Sequence, residues 1–170
     1  MNIKINKIDN ACKKYKEVHK SNNIKFNKLD QWLDKESDIF IKETNNTKNA
    51  TYKKLKRGQL IKVDFGINIG SELCHTHFAI VINKIDSIYS DNITIVPITS
   101  KPGKSRINIG KILHLIYPNS SKYNLDCYIN VSQIKTISKT RIFQNNKNYI
   151  CDNNILNKID NEIIKMFINI

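Results

Sequence analysis

A chain of 170 residues with 40% apolar and 25% charged side chains has the composition of a folded protein, enough for one ordinary domain and an appendage. Its formal net charge of +13 favours a polyanionic partner, because a basic surface gathers phosphates, although Lys is abundant together with Ile and Asn and part of the excess reads as compositional bias on solvated faces. No apolar run is long enough to span a bilayer and residues 1–10 lack the apolar core of a signal peptide, so a cytoplasmic chain with no membrane partner is expected. The four cysteines, Cys12, Cys74, Cys127 and Cys151, form no C-x-x-C pair. Neither a zinc knuckle nor a redox dithiol is suggested, and no metal or cofactor is expected.

In chain order, residues 9–20 and 26–43 read as helices. In the second, Leu29, Trp32, Leu33, Glu36 and Phe40 recur at steps of three and four, which gives an apolar stripe that must pack on something. The first has a weaker face of Ile8, Cys12, Tyr15 and Val18 or His19, and Ser21-Asn22-Asn23 breaks it. The short link predicts a helical hairpin. Residues 43–52 are polar, rich in Asn and Thr, and mark a linker, so that 1–52 form an N-terminal hairpin and 53–170 a second domain.

Beyond residue 52 the pattern turns extended. Residues 59–65 alternate as a half-buried strand does, while 78–82 and 93–98 are β-branched runs suited to central strands. Residues 106–112 alternate again, and 127–131 and 141–143 complete about six short strands, with a helical turn around 132–134. Residues 152–170 open on the cap candidate Asp152 and place Ile155, Leu156, Ile159, Ile163 and Phe167 at helical steps. Polar and titratable side chains gather in two of the connections: Ser71, Glu72, His75 and His77 in the first, Thr99 and Ser100 in the second.

Arg57-Gly58, Asp64, Gly70-Ser71-Glu72, Pro97-Ile98-Thr99-Ser100 and the run from Gln133 to Arg141, in this order and spacing, resemble the MazF/PemK family of toxin endoribonucleases. The resemblance covers about residue 56 to the C-terminus and not the N-terminal helices. It implies an α+β fold, a partly open SH3-like β-barrel with a C-terminal helix, here preceded by the helical hairpin. It also implies a homodimer, metal-independent cleavage of single-stranded RNA, and a cognate antitoxin that blocks the groove.

Where the family usually carries a catalytic arginine, this chain has His77; Thr99 keeps the place of the family's threonine. Histidine suits proton transfer at neutral pH better than arginine does, so His77 is expected to act as acid or base, Thr99 to stabilise the phosphorane and Glu72 to orient. Ser71, His75 and Ser100 are candidates for substrate binding. Lys101, Lys104 and Arg106 could hold the phosphate that the arginine no longer holds. If residues 74–77 are extended, His75 and His77 lie two apart on one side, as base and acid would. Gln133, Lys135 and Lys139 resemble family positions near the RNA groove, though a solvated face explains the lysines equally. Phe65, Phe78 and Tyr128 are candidate stacking platforms for unpaired bases, though a strand Phe is more often core, which leaves Tyr128. Two other classes remain open: a catalytically inactive nucleic-acid-binding or regulatory module, and a gyrase-directed toxin of the CcdB kind, with the C-terminal helix as its contact.

Overall fold

A computed structural model describes residues 2–45, 51–145 and 148–168; the linker expected over 43–52 lies partly outside them. The chain divides into two compact units, Met1–Lys48 with Gly66–Cys74, and Asn49–Phe65 with His75–Ile170.

The first unit holds α1 (Asn2–Lys20) and α2 (Leu29–Asn45), linked by a 3-10 turn at Ile24–Phe26. α1 stops at Ser21, whose N–H and hydroxyl both donate to Val18 O, and Asn22 follows in the left-handed conformation that ends helices. The stripe on α2 is buried at Leu29 and Trp32, but Phe40 remains 57% exposed. On α1 the expected face is exposed throughout: Ile8, Cys12, Tyr15, Val18 and His19 all face solvent.

The second unit is a six-stranded antiparallel sheet with β1 (Leu60–Asp64), β2 (Thr76–Val81), β3 (Asn92–Thr99), β4 (Arg106–Asn108), β5 (Tyr128–Asn130) and β6 (Lys135–Ser138). The order is β1-β2-β3-β5-β4, and β6 also pairs with β3. β3 is the shared strand: residues Asn92 to Ile95 pair with β6, and Ile98 and Thr99 pair with β5. Pro97, which has no N–H to give, falls in the gap between these two pairings. An isolated bridge from Val63 to Ile142 and the bond from Phe143 N to Lys62 O bring the end of the β6 segment back to β1. The sheet is thereby partly closed, as an SH3-like barrel requires.

The core follows from the β-branched runs. Leu60, Ile80, Val96, Ile98, Ile129 and Val131 pack with Ile112 and Ile116 of a short helix, α3 (Ile112–Ile116), and with Ile159 of α4 (Asn153–Phe167). The Asp152 carboxylate accepts the Ile155 N–H at 2.8 Å and caps α4, a contact worth roughly 1 kcal/mol. Arg57 donates to Ile82 O and pairs with Asp160 of α4, while Gly58 stands at φ +81° with Ile150 and Leu156 both 3.3 Å from where a Cβ would lie. The Arg57-Gly58 pair is thus part of the fold's framework. Cys127 and Cys151 are buried; burial and the nearby Asp152 push the Cys151 thiol up to about 12, so it stays protonated and inert.

Three expectations are corrected. Residues 106–112 do not run on as one strand: β4 ends at Asn108, Gly110 has a positive φ, and α3 begins. Residues 141–143 make only the bridge to β1, because a 3-10 turn at Lys139–Arg141 interrupts the chain first. The sixth strand lies instead at Lys135–Ser138, where alternation is hidden by Lys135 and Thr136, both exposed, and only Ile137 turns inward.

Candidate functional site

His77 and Thr99 each lie two residues outside the β2–β3 ladder. Its pairs are Ala79 with Pro97, Ile80 with Val96 and Val81 with Ile95. The ladder ends at Ala79 and Pro97, and Ile98 and Thr99 pair with β5 instead. On the other side of β2, His77 pairs with Val63; on the other side of β3, Thr99 pairs with Tyr128. Directly paired antiparallel residues project from the same face, so His77 shares a face with Val63, and Thr99 shares one with Tyr128.

Both side chains are held by their surroundings. Val63 is fully buried, and the Phe65 ring meets His77 edge to face at 6.1 Å and 74°. Thr99 is half-buried, and its Oγ1 accepts the Lys101 N–H at 3.2 Å. A hydroxyl that accepts this bond still has its own proton to donate.

The segment after Thr99 is basic and self-supporting. Arg106 Nη1 donates to the carbonyls of Lys101 at 2.8 Å and Pro102 at 3.3 Å, and Arg106 N donates to Gly103 O at 3.1 Å. Ser100, Lys101 and Lys104 are exposed on this turn. Gln133 ends the 3-10 turn at Val131–Gln133, and Lys135 lies elsewhere. Lys135 pairs with Ile95, four residues before Thr99 and so roughly 13 Å back along β3 at the usual strand rise.

The loop carrying Ser71 and Glu72, both exposed, belongs to the first compact unit. His75 follows it and corrects the extended geometry expected over 74–77. It stands at φ +66°, and its carbonyl accepts the Phe65 N–H at 2.9 Å, so the chain turns at His75 and β2 begins only at Thr76. The premise that placed His75 and His77 on one side of a continuous strand is lost. A left-handed non-glycine residue costs about 1–2 kcal/mol, and strain of this kind concentrates at functional sites.

Two stacking candidates are core residues. Phe65 and Phe78 are 3% and 8% exposed, and Phe78 packs against Tyr117 and Tyr123 at 5.9 and 5.7 Å. Tyr128 is half-buried beside Thr99. Lys139 is not on a solvated face. It is 5% exposed, and its Nζ donates to both carboxylate oxygens of Asp86 at 2.8 Å and to Ser87 O at 2.9 Å. These partners are 53 residues apart, so no local pattern announces the pair.

The sheet lies within a family match. A model described as PemK-like, MazF-like toxin of type II toxin-antitoxin system covers residues 56–167. The chain belongs to this PemK/MazF toxin family. Its family region takes in all six strands and leaves out α1 and α2. Among solved structures, the PemK/MazF chain is similar to an endoribonuclease in complex with its cognate antitoxin from a mycobacterial species. That likeness has 16% identity and a TM-score of 0.43, over 65% of this chain and 90% of the other. It is also similar to MazF from Deinococcus radiodurans, at 10% identity and a TM-score of 0.49, over 68% of this chain and 97% of the other. No curated protein sequence matches it.

Proposed function

We propose that this PemK/MazF-like toxin is an endoribonuclease that cuts single-stranded RNA without a metal ion. The observation that supports the reading is the family match over residues 56–167, together with a histidine near the start of β2 and a threonine hydroxyl at the end of β3 that leads into an exposed basic turn. The 2′-hydroxyl attacks the adjacent phosphorus, its proton leaves to a base, and the departing 5′-oxygen takes a proton from an acid. His77 performs one of these transfers, a task typically worth about a hundred- to ten-thousand-fold. Thr99 Oγ1 donates to the oxygens of the phosphorane as charge develops on them. The products end in a 2′,3′-cyclic phosphate and begin with a 5′-hydroxyl.

Ser100, Lys101, Lys104 and Arg106 hold the backbone phosphates at the reacting end, and Gln133 and Lys135 bind the strand further along β3. His75 contributes to substrate binding. The roles of Ser71 as a phosphate donor and Glu72 as the orienting carboxylate rest on the sequence pattern. We assign the region from residue 53 as the nuclease domain, acting in the cytoplasm as a homodimer held in check by a cognate antitoxin.

Expression in a bacterial host, followed by mapping of RNA ends, tests the reading. Growth arrest with new 5′-hydroxyl ends is expected, and its loss on His77→Ala. Arrest with intact RNA and blocked DNA supercoiling would replace the nuclease with a gyrase-directed toxin, and unhindered growth of cells making folded protein would replace it with a binding module.

A further inference from the structure

The loop that carries Ser71 and Glu72 is built into the N-terminal unit. Its own bonds close it first: Asn68 Nδ2 donates to Leu73 O at 2.6 Å, Asn68 N reaches Cys74 Sγ at 3.3 Å, and Glu72 N donates to Ile69 O at 3.2 Å. Two contacts from the helical segment then fix it. Gly66, at φ +74°, lies so near the Trp32 indole that a Cβ there would meet ring atoms at 2.3–2.7 Å. Lys25 Nζ donates to Gly70 O at 2.7 Å. One contact grips the loop at its start and the other at its tip. The Trp32 anchor is substantial, since this residue is only 8% exposed.

We propose that the N-terminal helices are a positioning device for this loop, with Trp32 and Lys25 as positioning residues that act through Ser71 and Glu72. The proposal rests on the nuclease reading for its catalytic consequence. A loop with two glycines at positive φ, Gly66 and Gly70, is locally free to move. The helices remove that freedom before substrate arrives, which lowers the ordering cost of reaching the reactive arrangement. The family region starts after both helices, so this control is an addition to it.

The test uses the full chain with Trp32→Phe, Trp32→Ala and Lys25→Met. Expected for Trp32→Ala and Lys25→Met is faster amide exchange across residues 66–74 and a kcat lower by about tenfold or more, with KM nearly kept. Trp32→Phe, which still fills the space over Gly66, should restore most of the rate. Trp32 is the chain's only tryptophan, so its emission also reports on the loop, and saturating single-stranded RNA should shift it. Lys25→Met removes one hydrogen bond from an accessible side chain, so it tests the hold even where Trp32→Ala fails to fold. Unchanged exchange in Lys25→Met, or faster exchange with unchanged kcat, would overturn the proposal. If the wild type cuts no RNA, the nuclease reading alone fails. Trp32 emission during RNA titration then decides, a shift supporting the device and a flat response overturning it.

Discussion

The two ends of β3 treat charge in opposite ways. Before its first residue, Asn92, the chain buries Asp86 against Lys139, with side chains 2% and 3% exposed, and Leu55 N–H donates to the same carboxylate at 2.8 Å. After its last residue, Thr99, it exposes Ser100, Lys101 and Lys104 on a turn whose only arginine is tied to loop carbonyls. One end uses its lysine to hold the sheet together, and the other keeps its lysines in water, where they can meet phosphate. A lysine in this sequence is therefore informative only once its partner is known.

Breaking the buried end should give the largest effect on stability. Lys139→Met leaves a buried carboxylate without its cation, which typically costs about 3–5 kcal/mol, measurable as a lower denaturation midpoint. RNA cleavage per folded molecule should be unchanged. The same pair sets an acid limit. Burial alone would raise the Asp86 carboxyl, but the hydrogen bond and charge of Lys139, with the N–H groups of Leu55 and Ser87, hold it below its ordinary value of 3.8. A depressed carboxyl contributes stability above the unfolded-state value that is lost as pH falls through the folded one. Denaturation midpoints should accordingly drop below about pH 4, and Asp86→Asn should flatten that limb.

The exposed end should respond in binding and not in folding. Lys101→Gln with Lys104→Gln should shift stability by less than about 0.5 kcal/mol. It should weaken single-stranded RNA binding and reduce the slope of log affinity against log salt by about 1.4, if each lysine neutralises one phosphate. At His75 the expected change is a modest gain. His75→Gly relieves the left-handed backbone and should stabilise the fold by about 1 kcal/mol, while a loss of RNA affinity would mark the imidazole as a substrate contact.

Much of the architecture was legible because burial leaves a periodic trace. The β-branched runs of β2 and β3, and Ile155, Leu156, Ile159 and Ile163 on α4, could each be placed from spacing alone. β6 was missed because only Ile137 faces the core, and α3 because its five residues are too few to show a helical period. At the site, His77 and Thr99 were legible as residues but their cross-strand partners, Val63 and Tyr128, were not, since those follow from the strand register. The Asp86–Lys139 pair and the Trp32–Gly66 contact were hidden for the same reason: both join segments whose separation has no local signature.

The central claim, that His77 and Thr99 act together on RNA, is tested most directly by single-turnover cleavage of an unstructured RNA in chelator. Wild type, His77→Ala, His77→Arg and Thr99→Ala would be compared, with RNA binding measured for each. The account predicts that both alanine variants still bind RNA but cut it about a hundred- to ten-thousand-fold more slowly, with His77→Arg between them and wild type. Equal cleavage by wild type and folded His77→Ala would contradict it.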